Sequence, residues 1–202
     1  MTNSITRRRE PFRFMVWLGI AGSVLVFTVL LAIYAVRSTG PGWADVRLPV
    51  VFLLSTIVIL VSSLTLHTAN RNFKNEQFAG YRANLTATLT LGMAFIVLQG
   101  WGWRHLILAG VGLENNPAGG FVYIISGLHL LHILLGLIFL AVALAEAMRR
   151  TAYVDAFVYS VNPPNQLKLR LLTLYWHFVD VLWVALFLFL LLHHGVDLTT
   201  IL

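Results

Sequence analysis

Four histidines and one carboxylate stand well inside long apolar runs: His67, His129, His132, His177 and Asp180. Imidazole and carboxylate share or relay protons near neutral pH, and imidazole also ligates haem, zinc or copper. Three chemistries are open on these residues: an interior polar network, a proton relay, or axial haem ligation. An ionised acid inside a bilayer costs at least about 2.5 kcal/mol, so Asp180 must be protonated or paired. His177, three residues before it, is a local partner, and a histidine from another helix is a second. His129 and His132 share one helical face, whereas two axial ligands approach opposite sides of one haem. Nothing has the ligand spacing diagnostic of zinc or copper. The chain has no cysteine, which excludes disulfides, thiolate metal sites and thioether-linked haem. The leading expectation is structural: His67, His129, His132, His177 and Asp180 form an interior polar network with Trp176 and Trp183 packed beside the acid. No metal site and no catalytic residue is expected.

The elements that carry these groups are membrane spans. Of 202 residues, 58% are hydrophobic and 11% charged, and the mean hydropathy is +0.81, too apolar for a water-facing surface. A spanning helix needs about 20 mainly apolar residues. Five stretches qualify: about 14–36, 48–70, 83–103, 121–145 and 171–192. Lipid offers no hydrogen bonds and the alternation of barrel strands is absent, so an all-α polytopic bundle of five transmembrane helices is predicted, with residues 1–202 as one transmembrane domain. The connection 149–170, with its Asn162-Pro163-Pro164-Asn165 turn, is too short to fold alone.

The net charge of +6 is topological and does not point to nucleic acid. Arg7, Arg8, Arg9 and Arg13 precede the first span; Arg71, Lys74 and Arg82 lie between spans two and three; Arg149, Arg150, Lys168 and Arg170 lie between spans four and five. Arg37, Arg47 and Arg104 fall on the other side. The positive-inside rule then puts the N-terminus in the cytoplasm and the C-terminus, from His193-His194 onward, outside. The first apolar run is too long for a cleaved signal peptide and no A-x-A site follows it.

Polar and small residues form stripes on the spans. Thr56, Ser63, His67 and Asn70 share a face in the second; Thr88, Gly92, Phe95 and Gln99 in the third; Ser126, His129, His132 and Gly136 in the fourth; Trp176, Asp180 and Trp183 in the fifth. Such stripes are helix-helix glue, each hydrogen bond contributing about 0.6 to 2 kcal/mol. Gly136 is expected at a close packing contact. Arg71, Arg82 and Arg170, near the cytoplasmic ends, suit lipid phosphates as well as topology.

The last span, Tyr175-Trp176-His177-Phe178-Val179-Asp180-Val181-Leu182-Trp183, resembles the closing signature of subunit III of the haem-copper terminal oxidases. Phe121 to Gly136 resembles the family's segment of aromatic pair, Thr-Gly and two histidines three apart; Ser126-Gly127, His129, His132 and Gly136 occupy its places. Ser62-Ser63 with Thr65, His67 and Ala69 resembles its serine-pair helix, and Gly92, Phe95 and Gln99 match the next. The resemblance covers about residues 12–195, with the five spans of the shorter bacterial members. Two departures fall on acids: Ser23 stands where the family typically has Glu, and Gly102-Trp103 where it commonly has Glu-Tyr.

The resemblance implies a multi-pass protein of the bacterial inner (plasma) membrane and a non-redox subunit of an aerobic oxidase. Haems and copper would reside in subunits I and II, where oxygen is reduced to water as protons are translocated. This chain would carry no cofactor of its own, support subunit I and hold structural phospholipid. On that basis Asp180→Ala is expected to shorten the life of the complex without abolishing its chemistry. The alternative is a haem-binding or quinone-reactive membrane anchor that uses the intramembrane histidines. A transporter coupled through Asp180 fits less well, because five spans do not divide into two equal repeats.

Overall fold

The computed structural model describes residues 10–40, 43, 46–112 and 117–197; Arg7, Arg8 and Arg9 lie outside them. Five long helices carry the apolar spans: α1 (Glu10–Arg37), α2 (Val51–Lys74), α3 (Phe78–Leu108), α4 (Pro117–Met148) and α6 (Pro163–His194). A short α5 (Tyr153–Val161) joins α4 to α6. Four of the five overrun the apolar stretches at both ends. The apolar run measures hydrocarbon thickness, whereas lysine and arginine are good helix formers whose stems reach back to the interface, so charge does not stop a helix.

The second span begins later than its apolar run predicts. Leu48–Pro49 is extended, consistent with the bias of a residue before proline against helix. This two-residue strand β1 pairs in parallel with β2 (Val196–Asp197), and Leu48 N–H donates to Gly195 O at 3.2 Å. The connection before α2 is thereby tied to the chain that follows α6.

Neighbouring helices interlock antiparallel. On the α2–α3 hairpin Gln99 Nε2 donates to Ser55 Oγ at 2.9 Å and Thr65 pairs with Thr88 at 2.8 Å. Opposite α2, the indole N–H groups of Trp176 and Trp183 on α6 donate to Ser62 Oγ at 3.1 Å and Thr56 Oγ1 at 2.9 Å. Lipid is as apolar as leucine, so close packing and these hydrogen bonds, rather than the hydrophobic effect, hold such helices together. Gly92 on α3 and Gly136 on α4 leave the room that the Trp176 ring fills. The face Thr88, Gly92, Phe95 and Gln99 of α3 is buried throughout.

Helix α1 is the least embedded. Among its described side chains only Phe27 and Tyr34 are buried. Tyr34 is hydrogen-bonded to His194 Nε2 at 2.6 Å and lies against the rings of Trp43, Phe121 and Phe189. His194 is therefore part of an internal contact at this end of the bundle. The connection 149–170 is ordered as well: Ala156 and Ser160 of α5 are buried, Asn165 Nδ2 and Gln166 Nε2 donate to Tyr159 O and Ser160 O, and Pro163 and Pro164 open α6.

Candidate functional site

The alternating helix directions gather the first turns of α1 with the last turns of α2 and α4 and the first turns of α3 and α6. At this end a cleft of about 490 Å³ opens between α1, α4 and α6. Met15 and Val16 form one wall, Phe139 and Ala143 the second, Leu172 and Tyr175 the third. Its polar residues come from the helix ends: Glu146, Tyr159, Asn165 and Lys168. Lys168 Nζ lies 3.6 Å from Glu146 Oε1, and the Tyr159 hydroxyl donates to Glu146 Oε2. The Arg150 guanidinium sits 4.2 Å over the Tyr159 ring while donating to Glu146 O at 2.8 Å. Burial, and secondarily the Glu146 carboxylate, push the Tyr159 hydroxyl well above the ordinary tyrosine range.

This cluster is absent from the sequence-based expectations. One signal was present: Glu146 closes the fourth apolar run and has Arg150 four residues later, a spacing that brings side chains together on a helix. Of the three arginines singled out, Arg82 reaches Arg150 O at 3.4 Å, Arg170 is exposed beside a second, more polar pocket of about 210 Å³ that also meets Lys74 and Gln166, and Arg71 is exposed. All three stand at the end where the cleft opens.

The five interior candidates are not gathered into one network. His129 is fully buried, edge-on to Phe95 and against Trp183 at 5.0 Å, with neither ring nitrogen hydrogen-bonded. His132 turns instead to α1: its Nδ1 donates to Leu128 O at 2.8 Å and its Nε2 faces Ser23 Oγ at 2.9 Å. A three-residue step rotates a helix position by about 60°, enough to send the two rings to different neighbours. His177 Nδ1 is hydrogen-bonded to Ser63 Oγ at 2.6 Å. Asp180 is 2% exposed and neither of its oxygens has hydrogen-bond geometry to a partner, so the expected pairing with His177 is not made; Ser63, which faces the carboxylate, is taken by the imidazole.

His67 departs furthest from expectation: it is exposed on the outside of α2 rather than interior. The buried face of that helix runs through Phe52, Ser55, Ile59, Ser62, Leu66 and Ala69, so the stripe Ser63, His67 and Asn70 lies along its edge. Trp176 and Trp183 are buried with Asp180 on one face of α6, Trp176 packed between Gly92 and Gly136 and Trp183 against Phe95 and His129. Where the resembling family carries acids, Ser23 faces His132, and the Phe52 ring would lie 2.9 Å from a Cβ on Gly102. The room for a second acid is filled by an aromatic ring.

A family model described as cytochrome c oxidase subunit III matches residues 12–195. Among curated relatives, a cytochrome bo(3) ubiquinol oxidase subunit 3 of Pseudomonas aeruginosa is 30% identical over 183 residues, covering 86% of this chain and 81% of its own length. That of Pseudomonas putida is 27% identical over 175 residues, covering 85% and 80%. A cytochrome c oxidase subunit 3 of Bacillus sp. strain PS3 is 28% identical over 176 residues, also covering 85% and 80%. With five apolar helices, these bacterial relatives identify a multi-pass inner-membrane protein that works in a complex with other oxidase subunits. The motifs on α2, α3, α4 and α6, the five-span bundle and the match across nearly its whole length lead to one conclusion: the chain belongs to the cytochrome c oxidase subunit III family.

Proposed function

We propose that the chain is a non-redox subunit III that packs against the haem- and copper-bearing subunit I, alongside subunit II, and holds a structural phospholipid in the α1–α4–α6 cleft. The N-terminal end of the bundle, with its basic residues, faces the cytoplasm under the positive-inside rule. Oxygen reduction and proton translocation are then the work of the complex, to which this chain lends durability.

The cleft is the observation that carries this reading. Its walls are aliphatic and aromatic, as an acyl chain requires, and Lys168 with the neighbouring Arg149 and Arg150 supplies positive charge at the headgroup level. Each buried methylene contributes about 0.8 kcal/mol, so a chain of ordinary length is held firmly. Glu146, already paired with Lys168 and Tyr159, is compensated in that setting. The anchor alternative gains nothing from the geometry, because His129 is enclosed by Phe95 and Trp183 and His132 is turned to Ser23.

The test is purification of the complete complex in mild detergent, with mass spectrometry of its chains and retained phospholipid. A haem-bearing subunit should co-purify, and Ala143→Phe, which fills the cleft, should remove one lipid per complex. An unchanged lipid count would reject the cleft as the site, and absence of a haem-bearing chain would reject the subunit III role.

A further inference from the structure

Several basic residues at the N-terminal end of the bundle are used within the fold. Lys168 is paired with Glu146, Arg82 donates to Arg150 O, and Arg150 donates to Glu146 O while covering the Tyr159 ring. Lys74 and Arg170 are not used in this way. Among the described residues neither forms an ion pair, donates to a carbonyl or stacks on a ring. A lysine that closes a helix can serve the last carbonyls. At the end of α2, however, Arg71 O and Asn72 O accept from the backbone N–H groups of Asn75 and Gln77.

What sets this pair apart from Arg71, also exposed and without a partner, is that both line one pocket. The antiparallel register that sets Ser62 beside Trp176 and Ser63 beside His177 continues to this end. There the last turn of α2 meets the end of α5 and the first turns of α6. The pocket of about 210 Å³ is smaller than the roughly 300–1,000 Å³ that encloses a drug-sized ligand. Phe73 and Leu169 are its buried apolar residues. Asn70 contributes a half-buried amide that has no partner among the described residues. Glu76 lines it too: its Oε2 accepts from the Tyr153 hydroxyl at 2.7 Å, which leaves Oε1 open.

These groups are complementary to one kind of molecule. Two cations in one small pocket repel each other until an anion lies between them. A guanidinium offers phosphate oxygens a planar fork and an ammonium offers a point charge. Chloride would balance the charge but leave Asn70 and Glu76 unused. An ionised carboxylate only accepts, so Glu76 suits a hydroxyl or ammonium group carried on a short arm beside the phosphate. The pocket also lies at the helix ends, the depth at which basic pockets between spans hold lipid phosphates.

We propose that Lys74, Arg170 and Asn70 hold the phosphate of a phosphate ester, and that Glu76 accepts a hydrogen bond from a hydroxyl or ammonium group on the same molecule. The ligand is the headgroup of a membrane phospholipid or a soluble phosphate ester. The site is distinct from the α1–α4–α6 cleft, with Phe73 and Leu169 standing between the two and lining both. It depends neither on the lipid proposed for that cleft nor on the subunit III role.

The chain has two lysines, so amine acetylation of the complete complex followed by peptide mass spectrometry reads the pocket at Lys74 and the cleft at Lys168 separately. With the pocket filled, Lys74 should react about tenfold more slowly than after detergent washing has stripped the ligand. Protection restored by phosphatidylethanolamine or phosphatidylglycerol micelles, and not by glycerol 3-phosphate, identifies a headgroup. The reverse identifies a soluble ester, and either result supports the site. Arg170→Gln, at an exposed position, should abolish the protection, whereas Arg71→Gln, outside the pocket, and Ala143→Phe, in the cleft, should leave it intact. Glu76→Ala should weaken protection by the ester while sparing that by inorganic phosphate; equal effects on both would remove Glu76 from the site. Lys74 reactivity that stays the same before stripping, after it and with every addition would overturn the proposal. Protection that survives in Arg170→Gln would show that another chain covers the lysine, and protection by sodium chloride at equal ionic strength would show charge without selectivity; either would overturn it.

Discussion

The indole of Trp176 rests on Gly136: a Cβ added there would come within 3.1 Å of the ring, and one added at Gly92 on the facing helix would come within 2.9 Å of it and 2.7 Å of Leu137 Cδ2. Four helices meet at that ring, since its N–H also donates to Ser62 on α2. Gly92→Ala should therefore destabilise the subunit by about 1–3 kcal/mol through overpacking, and Gly136→Ala should cost less. Gly100, with nothing within 4 Å of a Cβ, should gain up to about 1 kcal/mol from alanine on helix propensity. Thermal unfolding of the purified complex, followed through subunit release, orders the three variants; equal effects at Gly92 and Gly100 would contradict the packing argument.

Trp183→Phe removes the donor to Thr56 Oγ1 while keeping most of the ring contact with Phe95 and His129. Thr56 still donates to Phe52 O, so the loss should be close to one hydrogen bond, about 1 kcal/mol. Pairing the substitution with Thr56→Val in a double-mutant cycle isolates the bond. Strict additivity of the two changes would mean that it contributes nothing.

Asp180 reverses an expectation. Both of its oxygens are buried without a hydrogen-bond partner, and replacing an unsatisfied polar group by an apolar one of similar shape is neutral or stabilising. Asp180→Leu should leave the yield and melting of the complex unchanged or improved, and Asp180→Asn should behave like the parent. A large drop in yield for Asp180→Leu would show that the carboxyl has a partner in the assembled oxidase.

Tyr159 sets an alkaline limit on the cleft end of the bundle. Its hydroxyl ionises above the ordinary tyrosine value of about 10 when folded, so its contribution is complete below that pH and is lost as pH rises past it. Melting followed from about pH 8 to 11 should fall more steeply for the parent than for Tyr159→Phe, which has nothing to ionise. Parallel curves would disprove the coupling.

The sequence made visible whatever the bilayer penalises. Apolar runs, four of them free of charge and the fifth broken only by Asp180, located all five spans, and the positions Thr88, Gly92, Phe95 and Gln99 read as one face because small and polar groups are kept off lipid unless a neighbour covers them. Which way each histidine turns was hidden, since a three-residue spacing cannot tell a shared partner from two neighbours about 60° apart; His129 and His132 differ in that way. His67 escaped because a stripe read as one face straddles the edge of the buried one. The Glu146, Tyr159 and Lys168 cluster escaped because it joins three chain segments across a connection that carries no periodic signal.

Helix α1 is pinned through Ser23, Phe27 and Tyr34, and in its N-terminal third Phe12, Met15 and Val16 line the cleft. Its C-terminal end is fastened where Tyr34 meets His194, next to the β1–β2 clasp that closes the chain. The lipid proposed for the cleft would thus lie between one wall, α1, that is mostly exposed and two, α4 and α6, that are locked together where Trp176 packs on Gly136.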